Sequence, residues 1–244
     1  LGFLSELMEI NKGKLWNDIR QSPSFKNVLI KRDINRKEIA YIEENKMLLP
    51  GIHIKVEPLR SYVYKDFASH ILGYVGEVSK GELKASKFGR YEQGDMIGKN
   101  GLEKIYESNL KGKKGFKEIE VDVSGRELKT LRKLSPKAGN SLVLTLDSRV
   151  QNKLEKLMDG VLGENPVEGS VVVMKVQSGE IIAMVSKPSF DPNSFATGVS
   201  RKKWNSLVRD EKNPLQNRAV DGQYPPASTY KLVTAYAALS EKII

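Results

Sequence analysis

Apolar and polar positions change period several times along this chain, and each change marks a predicted element. Leu4, Leu7, Met8, Leu15 and Ile19 recur near helical spacing, which predicts helices through about residue 48. Asp33, ahead of Ile34-Asn35-Arg36-Lys37-Glu38, reads as the N-cap of a helix reaching about Asn45, and Leu49-Pro50-Gly51 ends it. From His53 to Leu59 the period drops to two. Ile52, Ile54 and Val56 alternate with His53, Lys55 and Glu57, a strand signal. Phe67 to Val75 begins as a helix and closes on the pair Gly73 and Gly76. Leu102 to Leu110 predicts a further helix between glycine turns, and short strands follow around Phe116 to Val123.

Ser135-Pro136-Lys137-Ala138-Gly139-Asn140 is polar and turn-rich, the best linker in the chain, so two domains are expected, 1–140 and 141–244. Ser141 to Leu146 reads as a strand. Asp147 reads as the N-cap of a helix over Ser148 to Leu162, with Val150, Leu154, Leu157 and Val161 on one face. Gly169–Val176 and Gly179–Ser186 are two β-branched runs joined at Gln177-Ser178-Gly179, a hairpin. A turn-rich excursion, Pro188 to Pro214, leads on. Ser228 to Leu239 reads as a buried helix carrying Leu232, Val233, Ala235, Ala237 and Ala238.

Composition narrows the function classes. The 244 residues contain no cysteine, which excludes disulfides and thiolate metal sites. No apolar run reaches the roughly 18 to 20 residues that span a bilayer. The net charge of +10 is uneven: residues 1–140 hold 27 basic against 19 acidic side chains, the remainder 13 against 11. Basic residues are scattered apart from Lys111–Lys117 and Arg201–Lys203, and few aromatics interleave with them. A solvated basic surface is therefore expected rather than a nucleic-acid site, a class that rests on charge alone.

The candidate chemistry lies in Tyr224-Pro225-Pro226-Ala227-Ser228-Thr229-Tyr230-Lys231. A serine hydroxyl needs a base within hydrogen-bond reach, and a lysine three residues on lies on the same helix face. The spacing alone is weak, because Ser108-x-x-Lys111 and Ser200-x-x-Lys203 repeat it. Pro225-Pro226 ahead of the serine and the apolar run behind the lysine single out the third match.

That segment resembles the active-site segment of class B penicillin-binding proteins, and other stretches extend the likeness to the elongation type. Leu144-Thr145-Leu146-Asp147, Gly169-Ser170-Val171-Val172-Val173-Met174, Pro188-Ser189-Phe190-Asp191-Pro192-Asn193-Ser194-Phe195 and Pro214-Leu215-Gln216-Asn217-Arg218-Ala219 resemble the family's catalytic domain. Arg60-Ser61-Tyr62, His70-Ile71-Leu72-Gly73-Tyr74-Val75-Gly76, Gly98-Lys99-Asn100-Gly101-Leu102-Glu103 and Leu110-Lys111-Gly112 resemble its non-catalytic pedestal. Ala227 departs from the family's usual glycine, and Val63 from its usual proline.

The resemblance implies an α+β chain: a pedestal (dimerisation) domain over 1–140, then the N-terminal part of a serine acyltransferase domain over 141–244. It implies a peptidoglycan D,D-transpeptidase that cross-links stem peptides and is acylated by β-lactams, with Ser228 as nucleophile, Lys231 as its base, and no cofactor or metal. It implies partners in the glycan polymerase and scaffold proteins of wall elongation, and no nucleic acid. An anchor upstream of Leu1 is expected to hold the domains on the extracytoplasmic side of the inner membrane. The family's Ser-x-Asn and Lys-Thr-Gly segments are expected beyond Ile244, so these 244 residues are expected to be inactive alone. A pairing of Glu103 with Arg60 across the pedestal also rests on the resemblance.

Other candidates rank lower. Gly98-Lys99 fails as a phosphate loop, since Asn100 replaces the required Ser or Thr. His53 and His70 have no second ligand at metal spacing. A binding module formed by residues 1–140 is the competing reading, and a β-lactamase or β-lactam sensor leaves the upstream half unexplained.

Overall fold

Residues 2, 6, 8, 10–22, 27–85, 91–92, 94–121, 127–160 and 168–243 are described by the computed structural model. The expectations for Leu4, Leu7, Val123, Val161 and Leu162 lie outside the described residues. Two units divide the chain: Leu1–Val143 with Asp191–Asn205, and Leu144–Phe190 with Ser206–Ile244.

In the first unit, helix Arg36–Glu44 starts from Asn35 rather than Asp33. Asn35 Oδ1 accepts from the Lys37 and Glu38 N–H groups at 2.9 and 3.0 Å, and Glu38 Oε2 accepts from Asn35 N–H at 2.8 Å. This reciprocal box satisfies donors that the first helical turn leaves open. Asp33 instead has a φ of 51°, a left-handed turn residue. Helix Lys12–Gln21 buries Leu15, and Met8 is buried as well.

The stretch 53–59 forms no regular element, and among the described residues it pairs with no strand. Ile52 and Ile54 are half-buried while Val56 is 95% exposed. Alternation specifies which side faces inward; only a neighbouring backbone makes a ladder.

The centre of this unit is a crossing of two glycine-bearing turns. Helix Ser69–Leu72 ends at Gly73, with φ 77°, and strand β1 (Val75–Glu77) then pairs antiparallel with β2 (Met96–Gly98). A Cβ on Gly73 would lie 1.9 Å from the Asn100 carbonyl oxygen, and one on Gly101, at φ 58°, would lie 2.5 Å from that of Ile71. Only glycine permits two backbones so close. The predicted helix over Leu102–Leu110 is two, Gly101–Ile105 and Glu107–Leu110, divided at Tyr106.

Strands β3 (Phe116–Val121) and β4 (Glu127–Leu134) form an antiparallel ribbon with two register shifts. Of this pair only the first strand was apparent from the sequence. The expected linker is pinned as well. Lys113 and Lys137 exchange backbone hydrogen bonds at 2.8 and 2.9 Å, and Asn140 N–H donates to Asn109 O at 2.8 Å. Its polarity marks turns, not freedom.

The second unit is built on the hairpin β5 (Gly169–Met174) and β6 (Ile181–Lys187), turning through Gly179 at φ 73°. Helix Ser148–Gly160 packs on β6, where Ala183 and Val185 are buried. Asp147 Oδ1 caps that helix, accepting from the Arg149 and Val150 N–H groups at 2.8 and 3.3 Å. The expected strand over Ser141–Leu146 is not one. It meets the start of β6 through Thr145 Oγ1, which donates to Ile181 O at 2.6 Å, while the Asp147 N–H just beyond it donates to Ile182 O at 2.9 Å.

Candidate functional site

Pro226, in helical geometry at φ −68° and ψ −16°, caps a 3₁₀ turn over Ala227–Tyr230, and helix Lys231–Ser240 follows without a break. In a 3₁₀ turn, side chains three apart eclipse, so Ser228 and Lys231 share one side. Thr229 locks the turn, donating to the Pro226 carbonyl from its N–H at 3.1 Å and from Oγ1. The expected burial of this helix is not observed. Every residue from Gln223 to Ala237 is exposed, including Leu232 at 78% and Tyr236 at 74%. An apolar sequence signals a need for cover; the cover must come from another element.

Both rival Ser-x-x-Lys pairs have structural work. Ser200 Oγ caps helix Arg201–Val208 by accepting from Lys203 N–H at 3.2 Å. Lys111 places its ammonium 3.2 Å from the centre of the Tyr91 ring, and Ser108 Oγ donates to Asn109 Oδ1 at 3.3 Å. Among the described residues, the Ser228 hydroxyl and Lys231 ammonium have no hydrogen-bond or ion-pair partner, each other included.

Four polar nodes, three of them on buried side chains and one on half-buried Asn193, support the two units. In the first, Glu103 is 4% exposed, pairs with Arg60 Nε at 2.5 Å and accepts from Tyr62 Oη at 3.2 Å. The pairing expected from the resemblance is present. Burial, and then the charge on Glu103, push the Tyr62 hydroxyl well above its ordinary pKa. In the same unit, Asn193 grips the Tyr62 backbone, with Oδ1 accepting from Tyr62 N–H at 2.8 Å and Nδ2 donating to Tyr62 O at 2.9 Å. Phe195 stacks on Tyr74 at 4.1 Å, and Trp204 meets Phe195 edge-on.

In the second unit, Gln151 is wholly buried and repeats the amide grip on Met184, at 2.8 and 2.9 Å. Buried Arg218 donates to Glu168 Oε2 at 2.8 Å and to the Lys212 and Asn213 carbonyls, while Ser186 Oγ accepts its N–H at 3.0 Å. Asn193 and Arg218 stand in stretches carried by the resemblance; nothing in periodicity marked Gln151, since a buried amide breaks an apolar stripe.

Among the described residues no three His, Asp or Glu side chains converge in a metal-sized group. His53 lies exposed beside a shallow groove, and His70 is buried. No helix among the described residues is long and apolar enough to cross a membrane.

Residues 3–144 match the penicillin-binding protein dimerisation domain, and residues 169–244 match the penicillin-binding protein transpeptidase domain. The chain belongs to the penicillin-binding proteins. It is 35% identical over 228 residues to the peptidoglycan D,D-transpeptidase MrdA of Escherichia coli K12, covering 92% of this chain and 35% of the relative. The Acinetobacter baumannii MrdA is also 35% identical, over 98% of this chain and 35% of its own length. Among solved structures, PBP2 in complex with MreC from Helicobacter pylori superposes with a TM-score of 0.74 at 30% identity, over 98% of this chain and 44% of that one. Pseudomonas aeruginosa PBP2 bound to WCK 5153 gives 0.61 at 35% identity, over 76% of this chain and 36% of that one.

This penicillin-binding protein is thus a dimerisation domain followed by the start of a transpeptidase domain, of mixed helix and strand. The chain spans about a third of the length of the curated relatives it matches. Asp191–Asn205 falls within the transpeptidase match yet packs in the first unit.

Proposed function

We propose that the whole protein is a peptidoglycan D,D-transpeptidase of cell-wall elongation, with Ser228 as its nucleophile and Lys231 as its base. The observation that carries this reading is the contrast among the three Ser-x-x-Lys pairs: among the described residues, only Ser228 and Lys231 keep both polar heads exposed and uncommitted. Ser228 Oγ attacks the carbonyl carbon between the two D-alanines of a stem peptide, and its proton passes to Lys231 Nζ, which takes part in this step as the neutral amine. The terminal D-alanine leaves with a proton, and an amine of a neighbouring strand then takes the acyl group from the ester. Ser228 N–H serves as one oxyanion donor. β-Lactams acylate the same oxygen. The scheme calls for no cofactor.

An exposed nucleophile on one helix is not a cleft, and losing one oxyanion donor alone costs about 10² to 10³ in rate. Residues 1–244 by themselves are therefore proposed to be inactive, and the activity to belong to the whole protein, anchored upstream with its domains on the extracytoplasmic side. A fluorescent penicillin tests this. The full natural protein forms a covalent adduct that mass spectrometry maps to Ser228, and Ser228→Ala forms none. Ordinary labelling of residues 1–244 alone overturns the inactivity, and an adduct elsewhere overturns the mechanism.

A second reading, compatible with the first, is a docking role for the first unit. It is favoured by a groove of mixed lining, with Glu43, Lys46 and His53 beside Ile42, Leu49, Ile52 and Ile54, flanked in sequence by exposed Met47, Leu48 and Val56. The similar Helicobacter pylori protein is found in a complex with MreC, and a scaffold of this kind is the proposed partner. Met47→Asp with Val56→Asp abolishes capture of such a scaffold while Ser228 acylation persists; unchanged capture rejects the groove.

A further inference from the structure

We infer that Ala227 is a positioning residue for Ser228, an inference that rests on the acyl-transfer reading above. Ala227 has a φ of 46°. Residues with a Cβ seldom occupy this left-handed region, which is disfavoured by about five- to thirtyfold against ordinary backbone. Such strain persists only where the surroundings over-determine it, and an outlier beside a reactive group is a reason to ask what it orients.

The constraint comes from both sides. The Pro226 ring fixes φ at −68° ahead of the bend. Behind it, Thr229 donates to the Pro226 carbonyl from both N–H and Oγ1, closing a ring around Ala227 and Ser228. Torsions at Ala227 set the plane of the Ala227–Ser228 peptide, and with it the direction of Ser228 N–H. Among the described residues that N–H has no acceptor, so nothing else fixes its direction. Ordinary helical or extended backbone at Ala227 would break the Thr229–Pro226 closure and re-aim Ser228 N–H, Ser228 Oγ and Lys231 together, relative to the chain that precedes them. The Ala227 side chain is exposed, so its methyl group does not pack in a core. Its conformation, not its contacts, is what acts.

Glycine and valine separate these roles, because glycine adopts the bend freely and a β-branched residue resists it. In the full natural protein, the first-order acylation rate of Ser228 by a fluorescent penicillin falls at least about tenfold in Ala227→Val. In Ala227→Gly it equals the parent rate or exceeds it by up to about fivefold. The apparent dissociation constant of the non-covalent complex stays at the parent value in both, so the change lies in the acylation step rather than in binding. Parent-rate acylation in the valine variant overturns the inference alone. So does a glycine variant that falls with valine, since that assigns the effect to the methyl group. Absence of any Ser228 adduct in the parent overturns this inference and the acyl-transfer reading together.

Discussion

The Tyr62–Glu103–Asn193 node of the first unit and the Ser228 turn of the second use polar groups in opposite ways. At the node every hydrogen bond is turned inward. Glu103 accepts from Arg60 and Tyr62, and Asn193 holds both backbone groups of Tyr62. At the turn the backbone is locked by Thr229, while the exposed hydroxyl of Ser228 and ammonium of Lys231 have no partner among the described residues. A satisfied polar group stabilises a fold but has nothing left for chemistry. An unsatisfied one adds nothing to the fold and is available to a substrate.

Five substitutions test that contrast. The largest effect is expected at Lys231→Ala, which lowers acylation of the full natural protein by about a thousandfold or more. Its melting temperature should not move, because the side chain is exposed. A drop in melting temperature would show that Lys231 is structural after all.

Glu103→Ala should do the reverse, destabilising the first unit by about 3 kcal/mol, toward the low end for a broken buried pair because Arg60 is half exposed. Trp16 and Trp204, the only two tryptophans, both lie in the first unit. Tryptophan fluorescence during urea unfolding therefore reads this unit selectively. A shift below about 1 kcal/mol would reduce the node to a surface ion pair.

Asn193→Ala and Gln151→Ala each orphan one backbone N–H and one carbonyl, and each should cost about 2 kcal/mol. Fluorescence should report only the first, and helical circular dichroism the second. If Asn193→Ala is silent, Asp191–Asn205 is held by Phe195 and its aromatic neighbours rather than by the amide.

The smallest effect is a pH window. The Arg149 guanidinium, then the Arg149 and Val150 N–H groups, hold the Asp147 carboxyl at about 2. A lowered carboxylate pKa stabilises the fold fully above its ordinary value and loses that effect as pH falls from about 4 to about 2. Asp147→Asn should flatten this part of the thermal-melting profile of the second unit. A slope unchanged in the variant would move the acid sensitivity elsewhere.

Much of the second unit was legible from sequence. The hairpin 169–187, the cap Asp147 and the start of its helix follow from β-branched runs, a turn glycine and one carboxylate at the right offset. Ser228 and Lys231 were legible as candidates from the prolines ahead and the resemblance. The stretches 53–59 and 141–146 misled, because two-residue alternation describes one strand and a sheet needs two. Gln151 and Asn193 were silent for a related reason: a polar side chain that replaces a neighbouring backbone looks like any surface amide until its partner is known.

By itself, the sequence determined the family, the local elements with strong caps and turns, and the one Ser-x-x-Lys set behind a proline pair. These are short-range matters, settled by torsion preference and by spacing within a turn or two of chain. Only the tertiary structure decided that Asp191–Asn205 packs in the first unit, that Tyr62 and Asn193 join the Glu103–Arg60 pair, and that the rival lysine and serine pairs are occupied. It alone placed Ala227 in a left-handed bend beside Ser228. Those outcomes depend on groups brought together from as far as 131 positions apart, such as Tyr62 and Asn193, and no local pattern records which distant partner a side chain will meet.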